Sequence, residues 1–159
     1  MLRSLLLIVS ILIGAAVPRL GEAGDADLAN LLVAKSLRCI LKPGASADWR
    51  YGTAAEPKVD QAMFSSELQD RTIVFDAIDG KGGRARMIGN MGTRDVSVLV
   101  NPAGLTFIEQ TQIGGAIFVT VFGSKIGGEY VFVYSSHIVL MEMPRPSQYY
   151  GTCKILMSD

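Results

Sequence analysis

The sequence specifies an all-β domain: an antiparallel meander of about eight strands forming a small closed or nearly closed barrel, with one short N-terminal helix. Three observations point there. From Arg71 onward, β-rich runs alternate with glycine, proline and asparagine turns at short intervals, and tight connections of that kind join antiparallel neighbours. The chain holds two cysteines, Cys39 in an earlier strand-like run, Ser36 to Lys42, and Cys153 in the last run. A bridge between them would set the two sheet edges side by side, and closure removes edges that otherwise invite aggregation.

The first element is an export signal. Arg3 supplies a positive start, and Leu5 through Val17 is an apolar run interrupted only by Ser10 and Gly14. A spanning helix needs about 20 apolar residues, so this run has the length of a signal core. Gly21 and Ala23 stand at the −3 and −1 positions of a cut after Ala23, with a cut after Ala16 as the second choice and an uncleaved N-terminal membrane anchor as the alternative reading. The expected organisation is a signal peptide over 1–23 and a single barrel-like domain over 24–159, with no stable membrane anchor after cleavage and a periplasmic or extracellular location.

The next segment, Asp25 to Ala34, has apolar Leu28, Leu31 and Leu32 at i, i+3 and i+4, which predicts a short helix capped by Asp25 or Asp27. Its leucines suit a plug over an open core edge. Ser36 to Lys42 reads as the first strand, stopped by Pro43-Gly44. Trp49 to Gly52 reads as a short strand, and Val59, Ala62 and Met63 as one face of a helical turn. Strands then follow over Arg71–Ile78, Arg84–Gly89, Asp95–Val100, Leu105–Thr111, Ala116–Phe122 and Tyr130–Met141. Pro144 and Pro146 are expected to stop the last of these, before a final strand around Tyr149 to Leu156. Most of the 17 glycines belong to the intervening turns. The Gly80-Lys81-Gly82-Gly83 stretch lacks the spacing of a phosphate loop.

Composition narrows the chemistry. The chain carries 15 basic and 15 acidic side chains, and losing Arg3, Arg19 and Glu22 with the leader leaves the balance near neutral. No strong field is present to attract nucleic acid. With two cysteines and one histidine, a zinc centre of several cysteines and histidines cannot be assembled, and no metal or other cofactor is expected. In an oxidising compartment the isolated pair forms a disulfide, Cys39–Cys153, worth about 4 to 5 kcal/mol at most in the chain-entropy model.

No catalytic pair stands out. Ser135-Ser136-His137 sets a histidine beside two hydroxyls, but neighbours on a strand face opposite ways, so Ser136 and His137 cannot act on each other. Asp76, Asp79, Glu109, Glu129 and Glu142 are the carboxylates from which a glycosidase pair would have to come. Asp76 opposite Arg84 or Arg86 across the glycine-rich hairpin is a cross-strand ion pair. Arg84, Arg86 and Arg94 are the cations available to an anion. The long strand is apolar on both faces: Tyr130, Phe132 and Tyr134 alternate with Val131 and Val133. One face fills the barrel, and the other needs cover from the 44–70 segment, the helix or a second copy. An eight-stranded barrel is about wide enough to be filled by side chains or to hold one small ligand. The candidate ligand-binding residues are Trp49, Tyr130, Phe132 and Tyr134.

At Leu105-Thr106-Phe107-Ile108-Glu109 and at Pro146-Ser147-Gln148-Tyr149-Tyr150-Gly151-Thr152-Cys153 the chain resembles small uncharacterised exported bacterial proteins, a resemblance that implies export and brings no activity or site residues. By architecture it is similar to the lipocalin and calycin group, secreted eight-stranded cups for apolar ligands, although the G-x-W motif and long C-terminal helix of that group are not in this sequence. The expected role is a non-enzymatic binding module for a small apolar ligand or a protein partner. The alternatives are a secreted hydrolase of polysaccharide or ester, using the carboxylates or Ser135 with His137, and a structural envelope protein that forms a homodimer.

Overall fold

The computed structural model describes residues 22–53, 55–62, 72–90, 92–112 and 114–157; the expected signal core and Met63 lie outside them. One helix, α1 (Glu22–Val33), precedes nine strands: β1 (Leu37–Asp48), β2 (Lys58–Ala62), β3 (Thr72–Asp79), β4 (Arg84–Gly89), β5 (Gly92–Asn101), β6 (Gly104–Gln110), β7 (Ala116–Ile126), β8 (Glu129–Leu140) and β9 (Met143–Ile155). β1 and β3 through β9 pair antiparallel in series, and β9 pairs back onto β1, so eight strands close into a barrel with β2 as an extra strand outside it.

The seam is closed as the cysteine positions predict. Cys39 and Cys153 are cross-strand partners in the β1–β9 ladder, joined by a disulfide across a sequence separation of 114, with both residues fully buried. Inward side chains build one core. Phe75 of β3 and Phe107 of β6 stack across the interior with ring centroids 3.9 Å apart, and Val119, Val121 and Phe132 fill the space beside them.

α1 caps one end. Leu31 is completely buried in the core, Leu28 packs against Gly123 of β7, and the Tyr130 hydroxyl donates to the Asp27 carbonyl at 3.0 Å. Lys125 reaches the Asp27 carboxylate at 2.7 Å. The helix starts at Glu22, before Asp25 and Asp27, so neither residue caps it; Asp27 serves the β7 contact instead.

Three local expectations are corrected. Pro43-Gly44 does not stop the first strand: β1 runs on to Asp48 through a register shift between Lys42 and Ala45. A bulge accommodates the proline without breaking the pairing. A β-carbon on Gly44 would overlap the Gln148 carbonyl, so only glycine lets β1 and β9 approach this closely. Trp49 to Tyr51 is a 3-10 turn rather than a strand, capped by Asp48, whose carboxylate accepts from the Arg50 amide. The segment containing Val59 and Ala62 is not a helical turn but β2, paired with Gly44–Asp48.

Pro144 and Pro146 also fail to delimit the last strand, which starts at Met143. The β8–β9 reversal occurs at Met141 and Glu142, both at positive φ (51° and 64°), the conformation of a type I′ hairpin turn. β1 pairs with β9 no further than Ser147, so among the described residues Met143–Pro146 has β8 as its one strand partner. There a proline leaves no ladder bond unmade.

Candidate functional site

The two ends of the barrel differ among the described residues. Strand alternation sends Tyr130, Phe132, Tyr134, Ser136 and Ile138 of β8 inward, and the first two are buried near the helix-capped end. Beyond them, at the opposite end, lies a cavity of about 490 Å³. Its wall is assembled from the starts of β3, β5 and β7, the ends of β4, β6 and β8, and the β9 segment containing Ser147 and Tyr149. Leu41, Ile73, Met87, Ile117 and Ile138 make much of it apolar, and Tyr134 meets Tyr149 edge to face with centroids 5.8 Å apart.

Thr72, Asn90, Thr111 and Gln112 add polar side chains to the wall, and a further polar set is aligned on one row. A single register row runs Glu109–Ile117–Ser136–Ser147 across β6, β7, β8 and β9, and all four residues line the cavity. Ser136 is 3% exposed, and among the described residues its hydroxyl has no protein hydrogen-bond partner. Glu109, 7% exposed, faces Arg94 of β5, whose Nε lies 3.0 Å from its carboxylate. Burial pushes the Glu109 carboxyl above its ordinary value, and the Arg94 guanidinium offsets part of that rise. Arg94 and Glu109 are the only charged side chains among the described lining residues, so the cavity carries a balanced pair and no net field.

At the open end of the seam Asp48, buried at 7% exposure, holds Arg50 at 2.5 Å and Arg145 at 3.7 Å. The Arg50 hydrogen bond, opposed in part by burial, draws the Asp48 carboxyl down to about 2. This cluster ties the end of β1 to the start of β9.

Of the four residues expected to bind a ligand, Tyr134 is on the cavity wall. Tyr130 and Phe132 share its inward face but are packed into the core, at 2% and 0% exposure, and Trp49 stands in the 3-10 turn, outside the lining set. The carboxylates are dispersed. Asp76 pairs with Arg86 at 2.8 Å and Asp79 with Arg84 at 3.7 Å, Glu129 binds Thr152 and Lys154, Glu142 is exposed in the β8–β9 turn, and Glu109 alone reaches the cavity. All three arginines considered for an anion thus already face a carboxylate. His137 points outward, as alternation requires, with the Phe118 ring 5.6 Å away.

No family model, curated protein or solved structure matches the chain. What it shares with the lipocalin and calycin group is the closed eight-stranded antiparallel barrel.

Proposed function

We propose that this chain is a non-enzymatic binding module of an exported protein, taking one small, largely apolar molecule into the open end of its barrel. The cavity carries the reading. Its volume of about 490 Å³ falls within the roughly 300–1,000 Å³ of small-molecule sites, and its wall combines the apolar Leu41, Ile73, Met87, Ile117 and Ile138 with polar groups that can fix an orientation. The buried Cys39–Cys153 disulfide supports residence in an oxidising compartment.

The test combines native mass spectrometry of protein purified from its own host with titration of an apolar fluorophore, N-phenylnaphthylamine. Binding in the unmodified protein and its loss in an Ile117→Trp variant that still folds is the expected pattern, because the indole would occupy the cavity. A protein that carries no molecule from its host and binds the fluorophore no better than the filled variant removes the reading.

A second reading, contact with a protein partner or another copy, is favoured by one row on the outer surface. Leu99, Thr106, Thr120, Val133 and Tyr150 are successive register partners across β5 to β9, with Leu99 and Tyr150 about half exposed. Light scattering across a concentration series reads the homodimer directly: a mass fixed at the monomer excludes it.

A further inference from the structure

We infer that the cavity selects an apolar ligand by a neutral hydrogen-bonding head, a hydroxyl or a carboxamide, received between Ser136 and Glu109 over the side chain of Ile117. This rests on the binding reading above and goes further by naming the chemistry of the occupant.

The Ser136 hydroxyl is buried, faces the cavity and has no partner among the described residues. A hydroxyl removed from water without a hydrogen bond is costly, and native structures rarely leave one so. It can both donate and accept. Two positions away along the same register row is Glu109, of whose carboxylate oxygens one engages Arg94. A carboxylate has about four acceptor positions, so capacity remains for a donor from the cavity. Strands two apart lie about 10 Å from each other. With Ile117 inward between them, a polar group resting on Ile117 is within reach of both side chains.

Such a head must donate to Glu109 and exchange a hydrogen bond with Ser136 in either direction. An alcohol and a primary amide do both. An ionised carboxylic acid has no proton to give and meets the Glu109 carboxylate with like charge. An ammonium adds an unbalanced positive charge to a site in which Arg94 already neutralises Glu109. Burying an uncompensated charge is disfavoured more strongly than burying a neutral polar group that is hydrogen-bonded.

The experiment displaces N-phenylnaphthylamine from the full protein at neutral pH with decanol, decanamide, decanoate and decylammonium, four compounds with one hydrocarbon body and different heads. Decanol and decanamide are expected to compete at concentrations about tenfold below the two ions, the factor that loss of a hydrogen bond to a buried group produces. Ser136→Ala should erase most of that advantage. Glu109→Gln, which keeps the side-chain shape and frees Arg94 of its carboxylate, should make decanoate the strongest competitor.

Equal competition by all four compounds, or an unchanged order in both variants, overturns the head-group assignment while the cavity stands as a binding site. A fluorophore that the unmodified protein does not bind takes down the binding reading and this inference together.

Discussion

Phe132 and Gly151 face each other across the β8–β9 ladder, and the phenyl ring occupies the space that a β-carbon on Gly151 would need. The same β-carbon would also meet the Ile40 carbonyl of β1, so this glycine serves the core and the barrel seam at once. Phe132 is completely buried, and the Ile40 carbonyl is backbone, so the clash is not relieved by moving a flexible side-chain end. Gly151→Ala is therefore expected to cost about 1 to 3 kcal/mol, the usual range for overpacking a filled core. Urea unfolding of the variant measures it, and a midpoint equal to that of the unmodified protein would contradict the packing described.

The disulfide is expected to resist reductants in the native state and yield to them once the chain is unfolded, since neither cysteine is exposed. Replacing Cys39 and Cys153 together with alanine removes a cross-link spanning 114 residues, which lowers stability by about 5 kcal/mol at the upper limit of the chain-entropy model. Thiol labelling with and without denaturant, followed by denaturant unfolding of the double variant, checks both statements.

Acid should loosen the open end of the seam first. Asp48 has its carboxyl drawn from 3.8 to about 2 by Arg50, so folding favours its ionised form. Its contribution is fully present above the unfolded value and is lost as pH falls from near 4 towards 2. Asp48→Asn should flatten the stability profile in that window, and should leave stability above it lower because Arg50 and Arg145 lose their carboxylate. Thermal unfolding followed across pH reads both effects.

Glu109 is expected to titrate in the opposite direction, above the usual glutamate value of 4.5, because burial dominates over Arg94. For an acid whose value rises on folding, the sign reverses: its contribution to stability grows as pH falls. Arg94→Ala should push the Glu109 titration higher still, since it removes the opposing charge. Carbon-detected NMR of the glutamate carboxyls follows the shift.

Much of the barrel was legible from residues 71 onward, where turn residues punctuate runs of β-formers and little else competes to explain them. The cysteine pair gave closure, because a bridge between first and last strands leaves no flat alternative. The earlier half misled for local reasons. Pro43-Gly44 has the composition of a stop and is instead a bulge, which only the partner strand β9 reveals. β2 is short, polar and extraneous to the barrel, and Lys58-Val59-Asp60-Gln61-Ala62 carries no strong strand signal.

The site was less readable than the fold. Alternation put Tyr134 on the inward face, but how deep the packing extends along that face depends on where α1 sits, which buries Tyr130 and Phe132 at the other end. Arg94 and Glu109 each stood out as a charge on a strand. That they meet inside the barrel follows from the pairing of β5 with β6, and sequence spacing alone does not contain it. In the sequence Ser136 stands out only beside its neighbour His137, whereas the row it shares with Glu109 and Ser147 exists only in the paired sheet.

With the helix seated across one end and the cavity at the other, the interior behaves as a blind shaft. Were the cavity to hold a ligand as proposed, an arriving molecule would find no far exit through which to push the resident one. Turnover of contents would then proceed at a pace set by departure alone, and adding more competitor would change which molecule is held without hastening the exchange.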